Sequence, residues 1–328
     1  MLSYIIRRIL YMIPTLFGIS LIAFLIIQLP PGDYLTSMVA NMENSGQTVD
    51  PAQVAALREQ YGFDQPIYVQ YAKWIGGIVT RGDFGQSFQW KQPVSALIWD
   101  RLGTTLMVTM ASLLLVWAVS LPIGIFSAVR RYSIGDHVFT LLGFIGLAVP
   151  NFILALVLMY ASYRLFGQSV GGLFSPQFES AGWSWGKFLD LMSHLWVPII
   201  VIGTSGTAAL IRILRANLTD ELHKPYVLTA RAKGLPEYKV VLKYPVRIAL
   251  NPFVSAIGWV FPHLISGATI VSIVLNLPTA GPLLLSSLVS QDMYLAGTFI
   301  LVLGVLTLVG MLISDLLLAL LDPRIRFT

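Results

Sequence analysis

Stretches free of Asp, Glu, Lys and Arg recur along the chain at 9–32, 102–129, 137–163, 191–211, 248–291 and 293–314. A helix needs about 20 apolar residues to cross a hydrocarbon core about 30 Å thick, so each run predicts a membrane span. The run 248–291 is long enough for two, but LPTAGP at 277–282 interrupts it and leaves one helix before the break. The pattern predicts an all-α, polytopic membrane protein with six transmembrane helices.

Between the first two spans the polarity changes. Asp50-Pro51 predicts a helix start and Gly62 its end, because Asp caps, Pro suits the first helical position and Gly tolerates a left-handed C-cap. Gln65-Pro66 predicts a second helix, whose Tyr68, Tyr71 and Trp74 are suited to the headgroup level. RGDFGQSF at 81–88 reads as a tight turn, and Pro93 as the start of a third helix running into the second span. The chain thus divides into an N-terminal span at 1–30, an outer segment with short helices at 31–100, and a five-helix core at 101–328.

Composition agrees, with 56% hydrophobic and 11% charged residues and a mean hydropathy of +0.75, outside the range of a soluble domain. The N-terminal apolar stretch, reaching Leu29, is longer than the apolar core of a secretory signal and reads as an uncleaved first span. With no cysteine, disulfides, thiolate metal sites and cysteine nucleophiles are excluded.

Charge sets the orientation. With the N-terminus inside, Arg7, Arg8, Arg130, Arg131, eight basic residues from Arg212 to Arg247, Arg324 and Arg326 lie in inner segments. The outer segments hold Arg58, Lys73, Arg81, Lys91, Arg101, Arg164 and Lys187. Fourteen against seven places both termini in the cytoplasm. The net charge of +5 then faces anionic inner-leaflet lipid and calls for no nucleic acid.

Chemistry-bearing motifs are sparse. No G-x-x-x-x-G-K-[ST] phosphate loop occurs, so nucleotide hydrolysis would fall to partners. His137, His194, His223 and His263 have no metal-ligand spacing, and no G-x-S-x-G is present. Ser255, Gly258, Pro262, Ser266, Thr269, Ser272 and Asn276 follow one another in steps of three and four in the fifth span. Such a stripe either lines a translocation path or lets helices pack closely. His263, one residue off the stripe, suits a hydrogen-bonded packing role. Asp315, inside the last span, is expected to be paired structurally rather than to relay protons.

The inner segment 214–247 is the most informative. Pro225 fits a helix start, Tyr226 to Lys233 can be helical, Gly234 fits the position just past the end, and Pro236 prevents continuation. The helix offers Val227, Leu228 and Ala230 as an apolar surface, with Arg231 and Lys233 as cations. On these grounds alone it suits either the membrane surface or a protein groove.

LTARAKGLP at 228–236, followed by LNP at 250–252, resembles the cytoplasmic motif of binding-protein-dependent ABC importer permeases, Glu-Ala-Ala, three residues, then Gly. Leu228, Thr229 and Ala230 take the first three places and Gly234 the last, so the Glu is absent. Thr229 to Gly234 matches the Thr-Ala-Arg-Ala-Lys-Gly of the dipeptide, oligopeptide and nickel permeases. IIRRILYMIPTLFGIS, PPGD, YGFDQPIYVQY, GDFGQSF and LLALLDPRIRF are similar to the family in the same order, and the long outer segment to its B-type subunit. Departures lie at Gly103, Thr279-Ala280 and Gln291.

The resemblance implies a type I ABC importer permease fold in a prokaryotic inner membrane. It also implies a homologous second permease subunit, two cytoplasmic ATPases holding ATP and Mg, and an extracytoplasmic solute-binding protein. Leu228, Thr229, Ala230, Arg231, Ala232, Lys233 and Gly234 would form the helix that couples to the ATPases. The chain itself would carry no cofactor and no catalytic residue, and the solute would be a peptide or a related small molecule. A self-contained ion-coupled transporter using Asp315 or His263 is the rival; it would usually show paired broken helices in two related halves.

Overall fold

A computed structural model describes residues 2–29, 32–45 and 50–321, without the side chains at 2, 3, 41, 60, 61, 256–267 and 321. Gly258, Pro262, Ser266 and His263 therefore have described backbone only, while Pro30, Pro31, Arg324 and Arg326 lie outside the described residues.

The elements, in order, are α1 (Leu2–Gln28), α2 (Tyr34–Asn44), α3 (Pro51–Tyr61), α4 (Ile67–Arg81), α5 (Val94–Val129), α6 (Ile134–Ala148), α7 (Asn151–Phe166) and α8 (Pro176–Glu179). They continue as α9 (Trp185–Leu222), α10 (Pro225–Ala232), α11 (Glu237–Lys243), α12 (Pro245–Ala249), α13 (Asn251–Val274), α14 (Ala280–Val289) and α15 (Met293–Leu321). Apart from one isolated bridge between Gln86 and Pro93, the described residues contain no β-structure.

Among the described residues, four helices are individually long and apolar enough to cross a membrane: α1, α5, α9 and α15. The third predicted span differs from its sequence pattern. It is a broken pair, α6 and α7, bent by 102°. The cause is Pro150, which disfavours α geometry at the residue before it; Val149 sits at φ −82°, ψ 121° and ends α6. The fifth predicted span corresponds to the 24-residue α13.

The chain folds as two units, one of Met1–Thr104 with Thr279–Leu308 and one of Thr105–Pro278 with Val309–Thr328. In the first, the predicted short helices form with the expected ends. Asp50 accepts a hydrogen bond from the Ala52 amide, and Gly62 closes α3 at φ +72°. The helix α2 was not expected from the pattern. Asp33 holds its start, accepting from the Thr36 amide at 2.8 Å, and also pairs with Arg58 at 2.9 Å.

Tyr71 and Trp74, suited in sequence to the headgroup level, pack within the first unit. Three residues apart on one face of α4, they turn toward α1, where Phe24 lies 5.3 Å from the Tyr71 ring and 6.1 Å from the Trp74 ring. Ser20 shares a 2.8 Å hydrogen bond with the Tyr71 hydroxyl. Trp74 is buried, and only Tyr68 of the three is well exposed.

The second unit is organised around α9. Val197, Val201, Leu191 and Leu195 contribute to one apolar core, and Leu214 and Leu218 to another with Val241, Val246, Ala249 and Phe253. The α6 helix approaches α9 through Gly143 and Gly146, whose missing side chains leave room for Ala208 and Thr204.

Candidate functional site

The segment after α9 builds the most distinctive surface of the second unit. His223 caps α9, Lys224 takes an extended conformation, and α10 begins with Pro225 in its first turn, where a missing amide hydrogen is harmless. The Tyr226 hydroxyl donates to the Glu221 carboxylate, tying α10 to the last turn of α9. Val227 and Ala230 are buried with Val240 of α11, and Tyr226, Leu235 and Tyr244 pack around them. Two of the three apolar residues expected on the surface of α10 are thus the inner face of a small local core. An eight-residue helix is far below the length that is stable alone, so it needs such a core.

The opposite face is open. Leu228 is 58% exposed, and Thr229, Arg231, Ala232, Lys233 and Gly234 are also on the surface. Arg231 donates to both carboxylate oxygens of Glu237, at 3.1 Å from Nε and 2.6 Å from Nη2. These hydrogen bonds hold the Glu237 carboxyl below its ordinary pKa. Gly234 sits at φ +73°, the left-handed geometry expected just past a helix end, and its amide donates to the Arg231 carbonyl at 2.9 Å. Apart from the buried Ala230, the residues from Leu228 to Gly234 are therefore exposed.

The small-residue stripe is less regular than its spacing suggested. Ser255 is exposed, Ser272 is buried, and Thr269 is half-buried. Asn276 leaves the stripe altogether. The helix α13 ends at Val274, and Asn276 lies beyond it at φ +50°. Asn tolerates that geometry, and the Leu277 amide closes the turn onto the Ser272 carbonyl at 2.8 Å. Asp315 is half-buried in α15 and makes a polar interaction.

Two polar centres were not foreseen. In the second unit, Asp136 in the first turn of α6 is buried and receives Arg215 of α9 in bidentate fashion, Nε to Oδ1 at 2.8 Å and Nη2 to Oδ2 at 2.7 Å. In the first unit, Asp292 ahead of α15 is fully buried and accepts from the Ser87 hydroxyl, the Gln89 amide at 3.1 Å and the Leu295 amide at 3.2 Å. Burial pushes its pKa up despite these donors. Each centre joins residues far apart in sequence; the sequence signal was only an isolated acid beside an apolar run. Among the described residues, no cluster of metal-ligating side chains occurs.

Residues 120–327 match the family of binding-protein-dependent transport system inner membrane components, and residues 1–109 match the N-terminal region of such membrane components. The chain belongs to this family. Over their whole lengths, it is 39% identical to the oligopeptide transport system permease protein AppB of Bacillus subtilis. It is likewise 33% identical to the glutathione transport system permease protein GsiC of Escherichia coli. The chain is a multi-pass inner-membrane permease subunit of an ABC importer. Membership implies a solute-binding protein and further subunits, and does not favour a self-contained ion-coupled carrier.

Proposed function

We propose that this permease subunit forms, with a homologous second subunit, the pathway by which a peptide-class solute enters the cell. A cytoplasmic ATPase would engage each permease subunit, and an extracytoplasmic binding protein would deliver the solute. The reading has six spans, made by α1, α5, the α6–α7 pair, α9, α13 and α15, with both termini inside. Residues 1–30, 31–100 and 101–328 then act as a first span, an outer segment and a core. ATP and Mg belong to the ATPases.

The exposed edge of α10, from Leu228 to Gly234 on a helix anchored by its own core, is the observation that carries the coupling role. A surface fixed from behind and open in front is suited to a protein groove. The Arg231–Glu237 pair occupies one of the cations that a lipid-bound helix would use. The stripe residues Ser255, Gly258, Pro262, Ser266, Thr269 and Ser272 are candidates for the path, with Asn276 at its outer end. The peptide class is supported by the relatives' names, AppB and GsiC.

Copurification in mild detergent tests the core of the reading. A Leu228→Cys chain should bring its ATPases with it and cross-link to them with a short thiol reagent. Recovery of the chain alone, with no cross-link, would overturn the coupling role.

A further inference from the structure

Asp136 and Arg215 are 79 residues apart, yet they make a bidentate ion pair. The Asp136 carboxylate accepts a third hydrogen bond, from the Tyr132 amide at 2.9 Å, and its own amide donates to the Ser133 hydroxyl at 3.2 Å. The acid is thereby fixed in both the 130–133 turn and the first turn of α6. A bidentate guanidinium–carboxylate contact fixes direction as well as distance, which a point charge would not.

Arg215 stands seven residues before the end of α9, about 10 Å of helix. Two residues separate that end from α10, and the Tyr226–Glu221 hydrogen bond spans the gap. On the other side of the pair, Arg212 lies 5.4 Å from the Phe144 ring centroid, and Gly143 and Gly146 bring α6 close to α9. The route from α10 through the end of α9 to α6 is therefore short, with a directional polar contact at each end.

We infer that Asp136 and Arg215 are a positioning pair that clamps α6 to the inner end of α9, so that a displacement of α10 is carried into the bent α6–α7 segment. The inference rests on the proposed coupling role of α10. Its chemistry is separate from docking, because neither residue belongs to the exposed edge. Breaking one partner orphans a buried charge and threatens folding, whereas neutralising both removes charge and direction together at lower cost.

The test uses the complete transporter in proteoliposomes, with nitroxide labels at Leu141→Cys in α6 and Lys239→Cys in α11, both exposed sites in a chain without native cysteine. In the parent background the label distance should stay fixed when ATP, Mg and vanadate are added. In the Asp136→Asn/Arg215→Gln double variant it should match the parent without nucleotide and shift or broaden with it.

A double variant that keeps the distance fixed throughout would overturn the clamp. So would a parent whose distance already changes with nucleotide. Broadening of the double variant before nucleotide is added would assign the pair to folding alone and equally overturn it. Cross-linking of Leu228→Cys to the ATPase, run in parallel, separates the two claims. Its absence in the parent removes the coupling role, and the clamp with it, whereas its presence leaves the distance measurement to decide the clamp alone.

Discussion

Replacement of Gly234 measures whether the end of α10 has to keep its shape. At φ +73° a residue with a Cβ incurs about 1–2 kcal/mol from its own backbone. No heavy atom lies within 4 Å of where that Cβ would stand, so the cost is conformational and not a clash. Asn, which tolerates the left-handed region, should cost least, Ala more, and β-branched Val most. That range lowers the ratio of formed to frayed end turn by about 5–30-fold. An exposed helix terminus starts near parity between the two. If the ATPase binds only the formed end, apparent affinity falls by about 3–15-fold.

The assay is titration of the detergent-solubilised permease pair with ATPase subunits, followed by ATP hydrolysed per molecule taken up in proteoliposomes. Affinity and coupling should decline together from Asn through Ala to Val, with membrane insertion unchanged. Arg231→Ala should do less, because its partner Glu237 is 54% exposed and such surface pairs contribute about 0.2–1 kcal/mol. If Gly234→Val docks and couples like the parent while Arg231→Ala and Lys233→Ala abolish transport, the helix rests on lipid and the reasoning fails.

Orientation is checked with an impermeant thiol reagent on intact cells. Cysteine at exposed Thr80 should react and cysteine at Lys239 should not, and reversed labelling would refute the inside termini. Ser87, in the same outer segment, is unsuitable because it is buried against Asp292. Asp315→Asn should retain substantial uptake, since an amide still hydrogen-bonds while a proton carrier cannot stay neutral; complete loss with normal assembly would favour a relay. Asp292, whose folded pKa is raised, lends stability that is fully present below its unfolded value and is lost as pH rises through its folded value. Thermal melts of the purified subunit should therefore weaken across that interval, and Asp292→Asn should flatten the dependence; an unchanged pH profile would refute the assignment.

Local chemistry was legible wherever one residue decides a backbone angle. Asp50-Pro51, Gly62 and Gly234 specify helix ends through caps and φ, and all three behave as their types require. The bend at Pro150 escaped because absence of charge marks membrane depth, not helical continuity. A run from 137 to 163 has the same polarity whether straight or folded at 102°. The inward face of α10 escaped for a related reason: Val227 and Leu228 are adjacent and similarly apolar, and only α11 determines which one is covered. Tyr71 and Trp74 suit either lipid headgroups or α1, and their amphipathic rings do not choose between them. Asp136 and Arg215 are joined by tertiary packing across 79 positions, which no local pattern encodes.

Under the proposed coupling role, Leu228 would also bear on fidelity between transporters. A bacterium that makes several related importers must keep each ATPase with its own permease, and a charged contact discriminates through an unmatched countercharge. With α10 docked as proposed, an uncharged, 58% exposed leucine would shift discrimination at this position toward shape. In the proposed docking, exchange with an ATPase whose groove carries a cation for a glutamate would leave that cation facing a hydrocarbon side chain, a desolvation cost that works against the mismatched pair.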